Sequence, residues 1–158
     1  MQARAAVEYD GAVRALVSAW KERGLRALSR EAARLVHEAV PRPDAEALTF
    51  VPPDGNRRVK RGHHPAERLA RELAERWQLP VERLLARSRE VRQQRGLPLA
   101  ERRRNMRGAF RARSGSPAGL VLVDDVYTSG ATVGAAASAL RAAGARRVEV
   151  VTFARVVR

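Results

Sequence analysis

The sequence predicts an α/β fold in which helices cover both faces of a parallel sheet. Two continuous apolar runs, GLVLV over residues 119–123 and VEVVTFA over residues 148–154, are typical of strands buried on both faces. A helical pattern that ends at Gly144 separates them, and strand, helix and strand of this length form a βαβ unit. Composition agrees, because 45% apolar and 30% charged residues allow a packed core in 158 residues.

Two helices are predicted at the start of the chain. Residues 10–23 place apolar side chains at helical spacing, and the pattern resumes in a second helix that must stop by Pro41, because proline cannot continue a helix. We therefore expect residues 1–43 to form a helical part that packs on a core of residues 44–158. Together they make a single domain over residues 1–158.

Two further strands and one helix are predicted between the helical part and the βαβ unit. The run ALTFV is β-prone and is followed by four consecutive turn residues, Pro52-Pro53-Asp54-Gly55. Pro65 suits the first turn of a helix whose apolar face continues to Trp77, and residues 84–86 predict a brief strand. The parallel sheet is predicted to contain residues 47–51, 119–124 and 147–153, with residues 130–143 as its crossover helix.

Charge is the most unusual property of the composition. The sequence has 31 Lys and Arg against 17 Asp and Glu, a formal net charge of +14, and only Lys21 and Lys60 are lysines. Guanidinium groups match phosphate geometry, so a polyanion or a phosphate-rich ligand is one interpretation, and GC-rich codon usage is the other. Ten arginines and two glutamates lie within residues 87–113, which predicts a solvated loop and helix, or a ligand-facing flap, that cannot lie inside a core. The helix is expected over residues 98–107.

Several classes of protein are excluded by composition. There is no cysteine, which excludes disulfides, thiolate zinc sites, iron–sulfur clusters and cysteine nucleophiles. No apolar run approaches the roughly 20 residues of a membrane span, and the first ten residues lack the apolar region of a signal peptide. We therefore expect a soluble, cytoplasmic protein without structural zinc.

A chemically distinctive segment, VLVDDVYTSGAT over residues 121–132, stands where the buried strand meets its helix. Ligands of parallel α/β sheets bind outside the carboxyl ends of the strands, which is where this segment must lie. Residues 128–132 form a hydroxyl- and glycine-containing turn that opens a helix, so backbone N–H groups and the helix dipole converge on one anion. The turn therefore predicts a site for a phosphate monoester.

The same segment supplies two adjacent carboxylates, Asp124 and Asp125. They would repel a phosphate in the turn unless a group lay between them, and the vicinal hydroxyls of a ribose would fit there. Mg²⁺ shared with the ligand is the other natural partner. A simpler interpretation is an exposed acidic turn in which Thr128 or Ser129 merely caps the helix. The sequence contains neither GxxxxGK[ST] nor GxGxxG.

This segment closely resembles the signature of type I phosphoribosyltransferases, which bind phosphoribosyl diphosphate (PRPP). In that family two acids hold the ribose hydroxyls and the following loop holds the 5′-phosphate, within a three-layer α/β/α fold. The resemblance implies that Asp124 and Asp125 bind the ribose, with Mg²⁺ held near them through the ligand. It also implies that the 5′-phosphate is bound by Thr128, Ser129, Gly130, Ala131 and Thr132.

Landmarks along nearly the whole chain resemble one branch of these proteins, the competence protein F (ComF) family. They are Tyr9-Asp10-Gly11, Lys21, Val51-Pro52-Pro53, Arg61-Gly62, Ala66-Glu67, Gln94-Arg95-Gly96-Leu97, Glu101-Arg102, Asn105 and Gly108-Ala109-Phe110. Members of this branch often begin with a four-cysteine zinc module, which is not expected in this sequence. Many purine phosphoribosyltransferases carry a carboxylate at the position of Thr128, whose hydroxyl has no useful pKa near neutrality for general-base catalysis.

The resemblance implies roles for two basic segments. The loop after the strand over residues 47–51 would bind the pyrophosphate leaving group through Pro53, Asp54, Arg57, Arg58, Lys60 and Arg61. The stretch over residues 87–113 corresponds to the mobile loop that closes over the reacting sugar. Candidates for a direct role in catalysis are Arg57, Arg58, Lys60, Arg61 and Arg92. The alternative is that the first loop is only a basic, solvated loop.

Two hypotheses of function remain open at this point. In the first, the protein is a Mg²⁺-dependent enzyme that transfers the phosphoribosyl group of PRPP to a nitrogen acceptor. In the second, the PRPP pocket persists but the protein is an accessory in DNA uptake that binds DNA or a competence helicase. The residues expected to contact nucleic acid are Arg102, Arg103, Arg104 and Arg107. A homodimer is a further expectation.

Overall fold

Residues 2–23, 26–53, 64–88, 106 and 108–157 are described by the structure, a computed structural model. The elements in these ranges are β1 (Ala3–Glu8), α1 (Gly11–Arg23), α2 (Arg26–Ala39), β2 (Ala47–Phe50), α3 (Pro65–Trp77), β3 (Leu85–Arg87), β4 (Phe110–Ala112), β5 (Gly119–Tyr127), α4 (Ala131–Ala142) and β6 (Arg147–Arg155). Within these ranges no helix is both long enough and apolar enough to cross a membrane.

Four parallel strands form the main sheet in the order β1-β6-β5-β2. Central β5 places Val123 between Phe50 of β2 and Val151 of β6. The first five residues of β5 are buried, as expected for a strand covered on both faces. Because α4 connects β5 to its parallel neighbour β6, the predicted βαβ unit and the α/β fold class are confirmed.

Helices cover both faces of the sheet, which gives the predicted three layers. On one face α1, α2 and α3 bury Trp20 and Trp77, and the Trp20 ring meets Phe153 of β6 edge-on with ring centroids 6.1 Å apart. On the other face α4 and the antiparallel pair β3–β4 pack against the sheet, with Leu122 and Leu140 fully buried between them. The central strand therefore presents its carboxyl end between two packed layers.

Residues 3–8 differ from the prediction of a helical part over residues 1–43. They form β1, which pairs in parallel with β6, with Ala3 opposite Val150 and Glu8 opposite Arg155. The segment ARAAVE contains one β-branched residue, so its own sequence gives little strand signal. It becomes a strand because β6 offers it an edge to pair with, a long-range contact that local patterns do not report.

The arginine-rich stretch begins and ends in the β3–β4 pair, where Leu85 lies opposite Ala112. Met106, Ala109 and Phe110 are buried against the face that α4 covers. The prediction that this stretch stays outside the core is therefore wrong where Ala109 and Phe110 are buried, because these apolar side chains fill space beside α4, whereas Met106 was expected to face inward. The predicted helix over residues 98–107 lies outside the described residues except for Met106, which is helical.

Candidate functional site

The carboxyl ends of β2, β5 and β6 meet at one edge of the main sheet. The backbone N–H of Val51 donates to the carbonyl of Val123 at 3.0 Å, so residues 51–53 leave β2 beside the two acids. Thr152 of β6 lies opposite Asp124 on the other side. The sheet therefore brings together the start of the predicted pyrophosphate loop and the predicted ribose-binding acids, as the parallel topology requires.

Asp124 and Asp125 are half-buried near the end of β5. The Oδ1 atom of Asp124 accepts a hydrogen bond from the backbone N–H of Asp125 at 2.9 Å, and Oδ1 of Asp125 accepts one from Val126 at 2.9 Å. These bonds orient both carboxylates without help from a ligand.

Three residues connect β5 to α4, and the last, Gly130, is the helix N-cap with φ of 73°. Among the described residues no side chain caps this helix in the usual way, and its first turn has no acidic residue. The nearest side-chain contact is Ser129 Oγ, which accepts from the N–H of Ala131 at 3.4 Å. The first-turn N–H groups and the positive end of the helix dipole thus face the loop, an arrangement that can hold an anion.

Tyr127 closes one side of this loop, a contact that the sequence analysis did not predict. A Cβ atom placed on Gly130 would lie 2.5 Å from the Tyr127 hydroxyl oxygen and 2.9 Å from Cζ. Arg155 of β6 lies opposite Tyr127 and places its guanidinium carbon 5.6 Å from the ring centroid, in a cation–π contact. The sequence did contain a signal for this contact. Tyr127 and Arg155 stand close after the two apolar runs that predict neighbouring parallel strands.

Arg87 ties the segment after β2 to the β3–β4 pair. Its Nε–H donates to the carbonyl of Pro53 at 2.8 Å, and its guanidinium carbon lies 5.0 Å from the ring centroid of Phe110. The predicted pyrophosphate loop therefore starts from a fixed point. The sequence analysis counted Arg87 only as one of ten arginines, because a partner 34 residues away leaves no local pattern.

The remaining predicted site residues lie outside the described residues. They are Asp54, Arg57, Arg58, Lys60, Arg61, Arg92, Arg102, Arg103, Arg104 and Arg107. In the part of the chain that the structure describes, no three His, Asp or Glu side chains converge as a metal-binding group. A divalent cation at this edge would have to draw further ligands from a bound molecule.

Sequence comparisons match most of the chain to known proteins. The family model described as the phosphoribosyl transferase domain matches residues 29–157, a range that contains β2, β5 and the loop before α4. Competence protein F of Haemophilus influenzae is 32% identical over 115 residues, which are 70% of this chain and 50% of that protein. The chain thus spans half the length of this relative.

The chain is also similar to solved structures. The structure of the allosteric regulatory enzyme of purine biosynthesis gives a TM-score of 0.54 at 23% identity and covers 80% of this chain but 25% of that one. TT1426 from Thermus thermophilus gives a TM-score of 0.48 at 20% identity, covering 82% of this chain and 84% of that one. At 23% identity the first likeness shows the fold alone.

Proposed function

Because this chain belongs to the phosphoribosyl transferase domain family, we propose that it binds PRPP at the carboxyl end of β5. The observation that carries the proposal is that Asp124 and Asp125 are followed within one short loop by the uncapped N-terminus of α4. A ribose 5-phosphate presents two hydroxyls and one anion in the same order. The carboxylates accept hydrogen bonds from the ribose hydroxyls, and the loop N–H groups donate to the phosphate.

Mg²⁺ suits the donor set of this site. Magnesium is commonly bound by one or two carboxylates together with phosphate oxygens of the substrate, and Asp124 and Asp125 are two carboxylates beside the proposed ribose. When bound, the ion supplies neutralising charge to the pyrophosphate. The protein's own contribution is to orient both carboxylates through the backbone bonds that they accept at 2.9 Å.

The proposed reaction is transfer of the phosphoribosyl group to a nitrogen acceptor. The bond between the anomeric carbon and pyrophosphate breaks and its electron pair leaves with pyrophosphate, while the lone pair of the nitrogen forms the new bond to that carbon and the proton of the nitrogen passes to solvent. Because the hydroxyl of Thr128 cannot act as a general base, catalysis depends on positioning the two substrates and on stabilising the leaving group. We assign the latter role to residues 53–61, whose start Arg87 anchors through the carbonyl of Pro53.

Titration calorimetry with PRPP and Mg²⁺ tests the binding proposal. Asp124→Asn and Asp125→Asn should each weaken PRPP binding about tenfold or more, the loss expected for charge-assisted hydrogen bonds. Inorganic phosphate should bind these variants as well as before or better, because carboxylate repulsion is reduced. Asp44→Asn is the matched control, since Asp44 pairs with Arg147 at the opposite end of the sheet. Folded protein that gives no heat with millimolar PRPP would contradict the proposal.

A second candidate function is favoured by the relation to Competence protein F and by the net charge of +14. In this alternative the protein assists DNA uptake by binding DNA, or a competence helicase, through arginine-rich surfaces. DNA binding through phosphates carries little sequence preference and weakens about 10³-fold between about 50 and 200 mM salt when roughly six phosphates are engaged.

This alternative is tested by measuring how much DNA a variant with four replaced arginines retains at low salt. The variant replaces Arg102, Arg103, Arg104 and Arg107 with alanine and should lose retention. A control that removes the same charge elsewhere replaces the exposed residues Arg14, Arg30, Arg141 and Arg146. Equal loss in both variants would indicate only a net-charge effect. If the unmodified protein does not retain DNA, the DNA-binding alternative is wrong and only the transferase proposal remains.

A further inference from the structure

The phenol of Tyr127 points at the residue from which α4 starts. For a Cβ atom placed on Gly130, the three nearest atoms outside its chain neighbours all belong to this side chain: Oη at 2.5 Å, Cζ at 2.9 Å and Cε2 at 3.5 Å. The distances lengthen from the hydroxyl inward, so the tip of the phenol and not its flat face meets Gly130, the N-cap of α4. The hydroxyl therefore lies at the loop to which the proposed function assigns the 5′-phosphate.

The position of the Tyr127 ring is fixed from two further directions. Tyr127 lies opposite Arg155 in the β5–β6 ladder, and the backbone N–H of Val156 donates to the Tyr127 carbonyl at 2.9 Å. The guanidinium carbon of Arg155 lies 5.6 Å from the ring centroid, and the ring packs at the margin of the core that α4 covers. The side chain is therefore held at its backbone, at its face and at its tip.

The hydroxyl that is held in this way has no acceptor among the described residues. Tyr127 is half-buried, and its side-chain contact in this part of the chain is the stack with Arg155. A tyrosine hydroxyl in such a place usually finds a hydrogen-bond partner. The start of α4 has the same need, because its described contact is the long one of 3.4 Å from Ala131 N–H to Ser129 Oγ. Two kinds of donor thus meet at Gly130, and one anion can accept from both.

We propose that the Tyr127 hydroxyl donates a hydrogen bond to the 5′-phosphate of PRPP, and that Arg155 positions the ring for this bond. The inference rests on the proposed function, because it takes the ligand of the loop to be a phosphate monoester. Such a group carries three terminal oxygens. One accepts from the phenol while the others accept from the backbone N–H groups at the start of α4. Arg155 acts through the ring, which its guanidinium group holds by a cation–π contact.

Calorimetry with ribose 5-phosphate, and with PRPP and Mg²⁺, tests the role of the hydroxyl. Tyr127→Phe keeps the ring and its stack on Arg155 but should weaken both ligands about tenfold, because one hydrogen bond to a charged group is lost. Its urea unfolding midpoint should stay unaltered. Tyr9→Phe is the matched control, since it removes the same hydroxyl from a tyrosine after β1 that stacks with Arg14 at 5.8 Å. This control should leave both affinities unaltered.

The positioning role of Arg155 is tested by a double-mutant cycle. Arg155→Gln should weaken ribose 5-phosphate binding several-fold, and Arg155→Lys, which keeps a cation over the ring, should recover part of that loss. When Tyr127 is already phenylalanine, Arg155→Gln should have no further effect, because the hydroxyl through which Arg155 acts is absent. Additive losses would overturn this role.

Fluorine NMR of protein that carries fluorotyrosine at Tyr9 and Tyr127 gives a readout that a merely structural role would not move. Ribose 5-phosphate should shift the Tyr127 resonance and leave that of Tyr9 in place, and this spectrum decides the matter should Tyr127→Phe fail to fold. If the unmodified protein binds PRPP and Tyr127→Phe binds it equally well, this inference is wrong and the proposed function stands. If the unmodified protein binds neither ligand, the proposed function fails and this inference fails with it.

Discussion

Gly130 is constrained in two different ways. Its φ of 73° lies in the left-handed region, which costs a residue with a Cβ about 1–2 kcal/mol whatever surrounds it. The nearby ring of Tyr127 adds a steric constraint, because a Cβ would approach the hydroxyl oxygen to 2.5 Å. The first cost is intrinsic to the backbone, whereas the second disappears when the ring is removed.

Gly130→Ala should therefore destabilise the protein by about 2–3 kcal/mol and abolish phosphate binding. Urea unfolding measures the first effect and calorimetry the second. Gly134→Ala is the matched control: this glycine lies inside α4, nothing stands within 4 Å of its Cβ position, and the change should stabilise by about 0.5–1 kcal/mol. Tyr127→Ala combined with Gly130→Ala should recover the steric part. Additive effects of the two changes would show that the ring does not confine Gly130.

Adjacent functional residues were predictable and dispersed ones were not. Asp124, Asp125 and the loop stand together in the sequence, so their chemistry can be read as one string. The stack of Arg155 on Tyr127 and the bond from Arg87 to Pro53 join residues 28 and 34 positions apart. The arrangement of the strands determines which of these residues meet, and that arrangement cannot be predicted from neighbouring residues in the sequence.

Glu67 joins α3 to the segment before β3. Its largely buried carboxylate accepts hydrogen bonds from Arg71 at 2.9 Å and from Arg83 at 2.6 Å, the latter 16 residues away. Burial alone raises the pKa of Glu67, but the bonds from Arg71 and Arg83 lower it, and the net direction is below the ordinary value of 4.5. The ionised form is therefore favoured by folding.

Glu67→Gln should lower the free energy of unfolding near pH 7 by about 1–3 kcal/mol, because two charge-assisted bonds are lost. A carboxyl with a lowered folded pKa stabilises above its unfolded pKa, so the difference from the unmodified protein should shrink as pH falls below about 4.5. Urea unfolding at a series of pH values measures this difference in the free energy of unfolding. Glu31→Gln, in an exposed pair with Arg34, should change stability little. A difference that grows toward low pH would contradict this assignment.

The predictability of the elements follows the strength of their own patterns. The buried strands β2, β5 and β6 and the crossover helix α4 were predicted because apolar runs and helical spacing are local signals. β1 was missed because alanine and charged residues fill it. β4 was missed because it lies among arginines, although Phe110 is buried against the second core.

The net charge of +14 acts on the molecule as a whole. Repulsion among positive charges that outnumber the negative ones destabilises a compact state, and salt screens exposed charges over about 8–10 Å at physiological ionic strength. The melting temperature should therefore rise by several degrees from low to physiological NaCl, as followed by circular dichroism. Arg146→Glu, which lowers the net charge by two, should reduce that rise. A fall with salt would mean that exposed pairs such as Arg34–Glu38 outweigh the repulsion.

The strand order β1-β6-β5-β2 also bears on how a ribosome can make this protein. Among the strands of the main sheet β1 is translated before the others and its neighbour β6 after them, and β2 likewise must wait for β5. No pair of the main sheet can form until residues 119–127 have left the exit tunnel, and β1 has no partner until residues 147–155 follow. At typical elongation rates the nascent chain carries its apolar segments for roughly ten seconds before the sheet can close. The sheet therefore cannot close before residues 147–155 are available, and helices α1 to α3 have no complete sheet to pack on until then.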